Sequence, residues 1–209
     1  MARTLNDARR WAEEGTKLFG DAVDRLTPAE YDTPSALPGW SRKHLVAHVA
    51  ANADALGNLV HWAATGEVTP MYASLAERSA GIERGVAMPA AELSAWSAHA
   101  AETLATQLGY LTRAQWQAEV VTVQGRTIPA AEIPWLRSRE VLVHAVDLDR
   151  GLGFADLPED FLRALVEDIC LKRGLAADDL PTGPLPEVTA WLAGRPHALA
   201  DAPEIGAWL

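Results

Sequence analysis

Apolar residues recur every three to four positions along most of this chain, the spacing that places them on one face of an α-helix. The pattern predicts four long helices, over about residues 4–26, 42–64, 90–109 and 129–150. Residues 118–128 change to a β-branched composition around Gln124-Gly125, which favours a short hairpin. The segment 67–90 contains several glycines and prolines, and we expect it to form a long loop with a short helix around 73–80.

The ends of these segments carry residues that suit helix termini. Ser41 can cap the second helix because its hydroxyl can accept a hydrogen bond from a free backbone N–H, and Gly66 can end it in the left-handed conformation. After the fourth helix the pattern changes to one helix over 159–173, a Pro- and Asp-rich stretch and a short final helix. We therefore predict a mainly α protein, with a four-helix bundle in residues 1–153 and a small C-terminal domain or extension in 154–209.

The composition narrows the class of protein. Hydrophobic residues make up 49% of the chain and charged residues 22%, which predicts an ordered core. The net charge of -10 argues against nucleic acid or an anionic membrane as a partner, and a small anionic substrate would need a local cationic pocket. The single cysteine, Cys170, and the lack of any long apolar run predict a cytoplasmic protein without membrane spans.

Three residues with metal-binding side chains fall on inward helix faces. Glu140 and His144 are four residues apart, so both can reach one ion, and His48 lies on the inner face of the second helix. Two imidazoles and one carboxylate suit zinc or a related divalent ion and leave coordination positions open for catalysis. The alternatives are a surface ion pair for Glu140 with His144 and a structural role for His48. His44 could form a competing pair with His48, but we expect it to cap the helix or to be solvated.

Two stretches around these residues resemble a known family. Residues 37–50 (LPGWSRKHLVAHVA) and 135–148 (WLRSREVLVHAVDL) look like signatures of the mycothiol-dependent maleylpyruvate isomerases, which belong to the DinB-like superfamily of metal-binding four-helix bundles. The likeness covers about residues 5–170 and includes 69–72 (TPMY). It implies a DinB-like bundle whose zinc ligands fall on the residues already selected by spacing, His48, Glu140 and His144.

The resemblance also implies an arginine in the C-terminal part that is important for activity. Arg195 follows Ala193-Gly194 in a short motif similar to that of the family and is our candidate. The chain departs from the family between residues 168 and 187, where it lacks a β-rich segment, so we expect a shortened extension that is α/β or mostly helical. Arg78, in the predicted loop, and Asn52, one turn after His48, are further candidates for binding the substrate.

The activity implied by the resemblance is cis–trans isomerisation of maleylpyruvate to fumarylpyruvate in gentisate breakdown. Rotation about a C=C bond requires that the double bond be removed for a time, which addition and elimination of a thiolate achieves. Because Cys170 lies in a predicted packed helix, the thiol must come from outside, and the resemblance implies mycothiol. A bound metal would lower the pKa of that thiol, and Arg195 would pair with a substrate carboxylate or enolate.

Two other functions remain open from the sequence. A mycothiol S-transferase of the same fold would use the same metal and thiol on a different electrophile. A metal-stabilised binding module without enzymatic activity would use the same ligands for stability alone.

Overall fold

A computed structural model describes residues 3–206 and residue 208. The chain divides into a compact unit from Leu5 to Arg150 and a second unit formed mainly by the residues from Gly151 onward. Residues 1, 2, 207 and 209, which belong to the ends of the two predicted domains, lie outside the described residues. The fold is mainly α, as the hydrophobic periodicity predicts.

The larger unit contains five helices and one hairpin among its described residues. The helices are α1 (Leu5–Asp24), α2 (Arg42–Thr65), α3 (Leu75–Val86), α4 (Ala90–Tyr110) and α5 (Ile133–Asp147). Strands β1 (Glu119–Val121) and β2 (Thr127–Pro129) pair antiparallel, with Val120 opposite Ile128. Helix α1 packs mainly on α5, and α2 packs on α3, α4 and α5. Helix α2 is therefore the central helix of the unit.

Helix α2 begins and ends where the sequence predicts. The hydroxyl of Ser41 accepts a hydrogen bond from the backbone N–H of His44, and Gly66 adopts the left-handed conformation with φ of 79°. Most residues of α2 are buried, including Leu45, Leu56 and Leu59, which are fully inaccessible, whereas Asp54 and His61 lie on an exposed stripe. A polar side chain on the buried faces of this helix must find its partners inside the unit.

Two sequence predictions about helix boundaries are wrong. The short helix expected around 73–80 is present but longer: α3 covers Leu75–Val86, so Arg78 lies on it, and residues 81–86, expected as loop, are helical too. Gly85 allows α3 to approach α2, since a Cβ there would lie 2.6 Å from the Cβ of Ala47. Helix α5 begins at Ile133 instead of Pro129, because residues 127–129 form β2 and a short 3₁₀ turn follows them.

The second unit is helical. It contains α6 (Glu159–Arg173), which ends at Gly174 with φ of 68°, and α7 (Leu185–Leu192). The two helices pack on each other, and the described part of this unit contains no strand. Of the two alternatives left open for the extension, α/β or mostly helical, the structure has the helical one. Within the described residues, no helix has the length and hydropathy needed to cross a membrane.

Candidate metal centre

The side chains of His48, Glu140 and His144 meet inside the larger unit. Glu140 Oε2 lies 3.0 Å from His48 Nε2 and 3.4 Å from His144 Nε2. One potential ligand atom from each residue lies within 4.8 Å of the other two. The structure thus brings together the three residues that helical spacing selected, with His48 on α2 and the other two one turn apart on α5.

The three side chains differ in their exposure. Those of His48 and His144 are 9% and 3% exposed, whereas that of Glu140 is 15% exposed. Burial raises the pKa of Glu140, but hydrogen bonds with both histidines outweigh it and hold the pKa well below the ordinary 4.5. Glu140 is therefore an anion at neutral pH, as a metal ligand must be.

Asp147 fixes the orientation of His144. Its Oδ2 lies 2.8 Å from His144 Nδ1, and its side chain is fully buried. A carboxylate can only accept a hydrogen bond, so Nδ1 carries the proton and Nε2 turns toward Glu140. Burial lowers the pKa of His144, but the bonds to Asp147 and Glu140 outweigh it and raise the pKa above 6.5. Such a carboxylate–histidine pair is common behind metal-ligating imidazoles.

The donor set fits a divalent ion of the zinc type. Two imidazole nitrogens and one carboxylate oxygen converge from different helices, and three protein ligands are the number found in catalytic zinc sites. Burial also lowers the pKa of His48, so its imidazole is neutral at neutral pH and has a nitrogen lone pair for a metal. Which ion the site holds stays a prediction.

Arg78 contacts the centre from α3. Its Nη2 lies 3.4 Å from His48 Nδ1, and its guanidinium lies close enough to Tyr72 to act on the pKa of the phenol. Burial raises the pKa of Tyr72, so the phenol stays protonated at neutral pH. Sequence reasoning missed Tyr72: it falls within the stretch 69–72 that resembles the family, but nothing in its local pattern indicated that it would approach a metal ligand.

Arg137 links the two helices that provide the ligands, and sequence reasoning missed it too. Its Nη1 donates to the backbone carbonyl of Val49 at 2.8 Å and to Asn52 Oδ1 at 3.1 Å, so it ties α5 to α2 next to His48. Burial lowers the pKa of Arg137 to about 10, which leaves it a cation. Asn52 is thus placed as a buried partner of Arg137, and its predicted role in binding the substrate stays a prediction. The available signal was position, since Arg137 lies three residues before Glu140.

The competing histidine takes the role expected of it. His44 Nδ1 lies 2.7 Å from the hydroxyl of Ser41, at the start of α2, and His44 is not part of the cluster of possible ligands. Trp40 covers the neighbouring side of the centre, with its ring centroid 5.5 Å from that of His48. The short loop before α2 therefore caps the helix and places an aromatic ring against one ligand.

With this geometry, the comparisons with known proteins identify the family. Residues 12–149 match the mycothiol maleylpyruvate isomerase N-terminal domain. The chain belongs to this family. It is 34% identical to a solved structure, the crystal structure of the mycothiol-dependent maleylpyruvate isomerase, with a TM-score of 0.92 over 99% of this chain and 98% of that chain. An alanine mutant of a histidine in that enzyme matches equally, at 33% identity and a TM-score of 0.92. A search of curated proteins finds no match.

Two residues of the second unit bear on activity: Arg195, the predicted catalytic arginine, and Cys170, the single cysteine. Arg195 follows α7, is buried, and donates from Nη1 to the carbonyl of Ala193 at 2.7 Å. Its predicted catalytic role stays a prediction. Cys170 is half-buried in α6, where burial raises the pKa of its thiol, with Asp179 adding to the shift. At neutral pH this thiol is protonated and is a poor nucleophile.

Proposed function

We propose that this protein is a mycothiol-dependent maleylpyruvate isomerase that converts maleylpyruvate to fumarylpyruvate in gentisate degradation, with a zinc ion held by His48, Glu140 and His144. The convergence of these three ligand atoms within 4.8 Å is the observation that carries the proposal. The family match and the likeness of the whole chain to a mycothiol-dependent maleylpyruvate isomerase support the choice of thiol and substrate.

The reaction follows from the chemistry of the double bond. A thiolate adds to the alkene carbon conjugated with the ketone, so a C–S bond forms and the π electrons move to the carbonyl oxygen as an enolate. The former double bond is now single and rotates. The enolate then collapses, the C–S bond breaks and the thiolate leaves, so the thiol is regenerated and nothing is oxidised or reduced.

The thiol is external to the chain. Cys170 is the only cysteine, and the raised pKa of its thiol argues against it as the nucleophile. When bound, the zinc ion supplies Lewis acidity that lowers the pKa of a thiol bound to it. A reduced small thiol and a single cysteine are both suited to the cytoplasm, where we place the protein.

Two arginines of this chain can offset the charge of a dianionic substrate in a protein of net charge -10. Arg78, which contacts His48, would bind a substrate carboxylate. Arg195, by its resemblance to the family's arginine, would pair with the enolate oxygen. Replacing Arg195 by alanine should then raise the barrier by about 2–4 kcal/mol, a loss of roughly a hundred- to a thousand-fold in turnover. The exposed Arg163, replaced by alanine, is the control in the same unit.

The test combines metal content with turnover. Purified protein should contain about one zinc per chain, and H48A, E140A and H144A should each lose most of it. Because a metal contributes several kcal/mol to such a reaction, their mycothiol-dependent turnover of maleylpyruvate should fall by about a thousand-fold or more. H99A, a change of an exposed histidine on α4, should alter neither.

Three results would count against the proposal. Full metal content in the three ligand variants would refute the site. Turnover of mycothiol with other electrophiles, but none with maleylpyruvate, would replace the isomerase by an S-transferase. Variants that lose metal and stability, in a protein without turnover of any kind, would leave a metal-stabilised binding module.

A further inference from the structure

A cleft of about 320 Å³ opens beside the metal centre, between α2, α3 and α4. Tyr72 and Arg78 line it, and the contact of Arg78 Nη2 with His48 Nδ1 connects it to the centre. From there it follows α2, because Asp54 and Asn58 also line it. These residues come six and ten positions after His48, so they lie about 9 and 15 Å further along the helix axis. A ligand that filled the cleft would therefore extend well away from the metal ligands.

The far part of the cleft presents acceptors for hydrogen bonds. Asn58 uses its Nδ2 to donate to the carbonyls of Pro70 and Met71, and its Oδ1 accepts from no described residue. One oxygen of Asp54 accepts from Trp96 Nε1 at 2.8 Å, and no described residue donates to the other. Two acceptors on one wall call for a ligand that carries donors, such as a row of hydroxyl groups.

The charges of the cleft argue against a second carboxylate in this part. Glu77 and Arg84 form an ion pair at 2.7 Å, so their charges largely offset each other. Asp54 has no ion-pair partner among the described residues, and its negative charge would repel an anionic ligand nearby. Arg78, at the metal end, is the favourable position for an anion. The electrophile thus suits the metal end, and an uncharged polar group suits the part near Asp54.

An aromatic surface completes this part of the cleft. Trp96 is half-buried, and its hydrogen bond to Asp54 holds the indole ring in the wall. An indole offers an apolar face beside a polar edge, which matches the C–H face and the hydroxyl edge of a sugar ring. The cleft volume of about 320 Å³ is within the range of small-molecule sites.

We infer that this cleft binds the hydroxyl-rich, uncharged body of the thiol cofactor, so that the thiol lies at the metal ligands and sugar hydroxyls donate to Asp54 and Asn58. The inference rests on the proposed function and adds to it the place where the cofactor is recognised. Maleylpyruvate is too short to reach from His48 to Asn58, so the two ligands would share the centre without competing for the cleft.

The test measures binding of S-methyl mycothiol, a thioether that keeps the carbohydrate body and cannot react. Two variants perturb the cleft in different ways. D54N weakens an acceptor and keeps an oxygen for Trp96, and A73F fills the cleft from an exposed loop position. A91F places the same side chain at an exposed position of α4 outside the cleft and is the control. Metal content and melting temperature should match the wild-type values in all three.

We expect calorimetry to show binding to the wild type and to A91F, with an affinity about tenfold lower in D54N and lower still in A73F. The KM for mycothiol should rise in parallel, while the KM for maleylpyruvate stays the same. Equal binding of the thioether by the wild type and both cleft variants would overturn this inference alone. Absence of binding to the wild type would overturn it together with the choice of mycothiol in the proposed function. A rise in KM for maleylpyruvate alone would assign the cleft to the electrophile and also overturn it.

Discussion

Replacing Asp147 by asparagine should weaken metal binding without unfolding the protein. The Asp147 carboxylate is fully buried and lies 2.8 Å from His144 Nδ1. Asparagine keeps the size of the side chain but removes the charge, so a charge-assisted hydrogen bond becomes a neutral one. Such bonds contribute about 1.5–3 and 0.5–1.5 kcal/mol respectively, a difference of roughly 1–1.5 kcal/mol. That difference corresponds to about a five- to tenfold loss of metal affinity.

The asparagine can also turn its amide nitrogen toward His144, which makes the loss larger. The imidazole would then accept at Nδ1 and carry its proton on Nε2, the nitrogen that faces Glu140 and would bind the metal. Metal binding must then restore the other tautomer. Together the two effects predict a decrease in affinity of about 10- to 100-fold, the range observed when partners of metal-ligating histidines are removed.

The measurement is the zinc dissociation constant from competition with a chromophoric chelator at neutral pH. D149N is a matched control, because Asp149 is an exposed carboxylate two residues away. Its φ of 54° lies in the left-handed region, which asparagine adopts readily. We expect D149N to bind zinc within about twofold of the wild type. A D147N protein that keeps its fold and binds zinc as tightly as D149N would refute the assignment of Asp147 as the residue that orients His144.

Three further predictions concern the rest of the chain. In chelator-treated protein, His144, with a raised pKa, stabilises the fold fully below about pH 6.5, and Glu140, with a lowered pKa, does so above about pH 4.5. His48, with a lowered pKa, contributes in the opposite sense, so the contribution of His144 is read from the difference in melting temperature between this protein and H144A. That difference should shrink as the pH rises above about 6.5, and a constant difference would contradict the shift. G85A should cost about 1–3 kcal/mol of stability, because the new Cβ would lie 2.6 Å from a carbon of α2, whereas G81A on the same helix should stabilise by about 0.5–1 kcal/mol. Denaturant unfolding of both variants checks this, and equal stability would contradict it. C170S should keep wild-type turnover in the mycothiol assay, and a loss of activity with stability intact would identify Cys170 as a nucleophile.

Much of the larger unit could be predicted because its signals are local. The cap at Ser41 and the left-handed Gly66 need only their own neighbours, and the 3.6-residue period alone places Glu140 and His144 on one face. His48 could be predicted as an inward residue for the same reason. Periodicity could not predict how far α2 is shifted along its axis relative to α5. That shift decides whether His48 faces Glu140 and His144.

The predictions that failed depend on contacts between distant segments. Gly85 suggested a break in helical structure, yet it is a packing position where α3 needs a residue without a side chain to approach α2. Pro129 suggested a helix start, but it belongs to strand β2 and lies opposite Glu119 of β1. Arg137 was missed for a related reason, since its partners, Val49 and Asn52, are 88 and 85 residues away along the chain. Tyr72 was missed because Arg78, which acts on its pKa, lies on another element. Sequence spacing within one helix contains no information about such partners.

These contacts hold the three candidate ligand side chains in place through other residues of the chain. His144 is oriented by Asp147, His48 is contacted by Arg78, and Glu140 lies between the two histidines. Arg137 holds α2 and α5 together through bonds that involve no ligand atom. A site held in this way differs from small zinc domains, in which metal binding provides the folding free energy. The binding energy of the ion is then not needed to fold the chain, so removal of the metal should abolish turnover while the bundle stays folded.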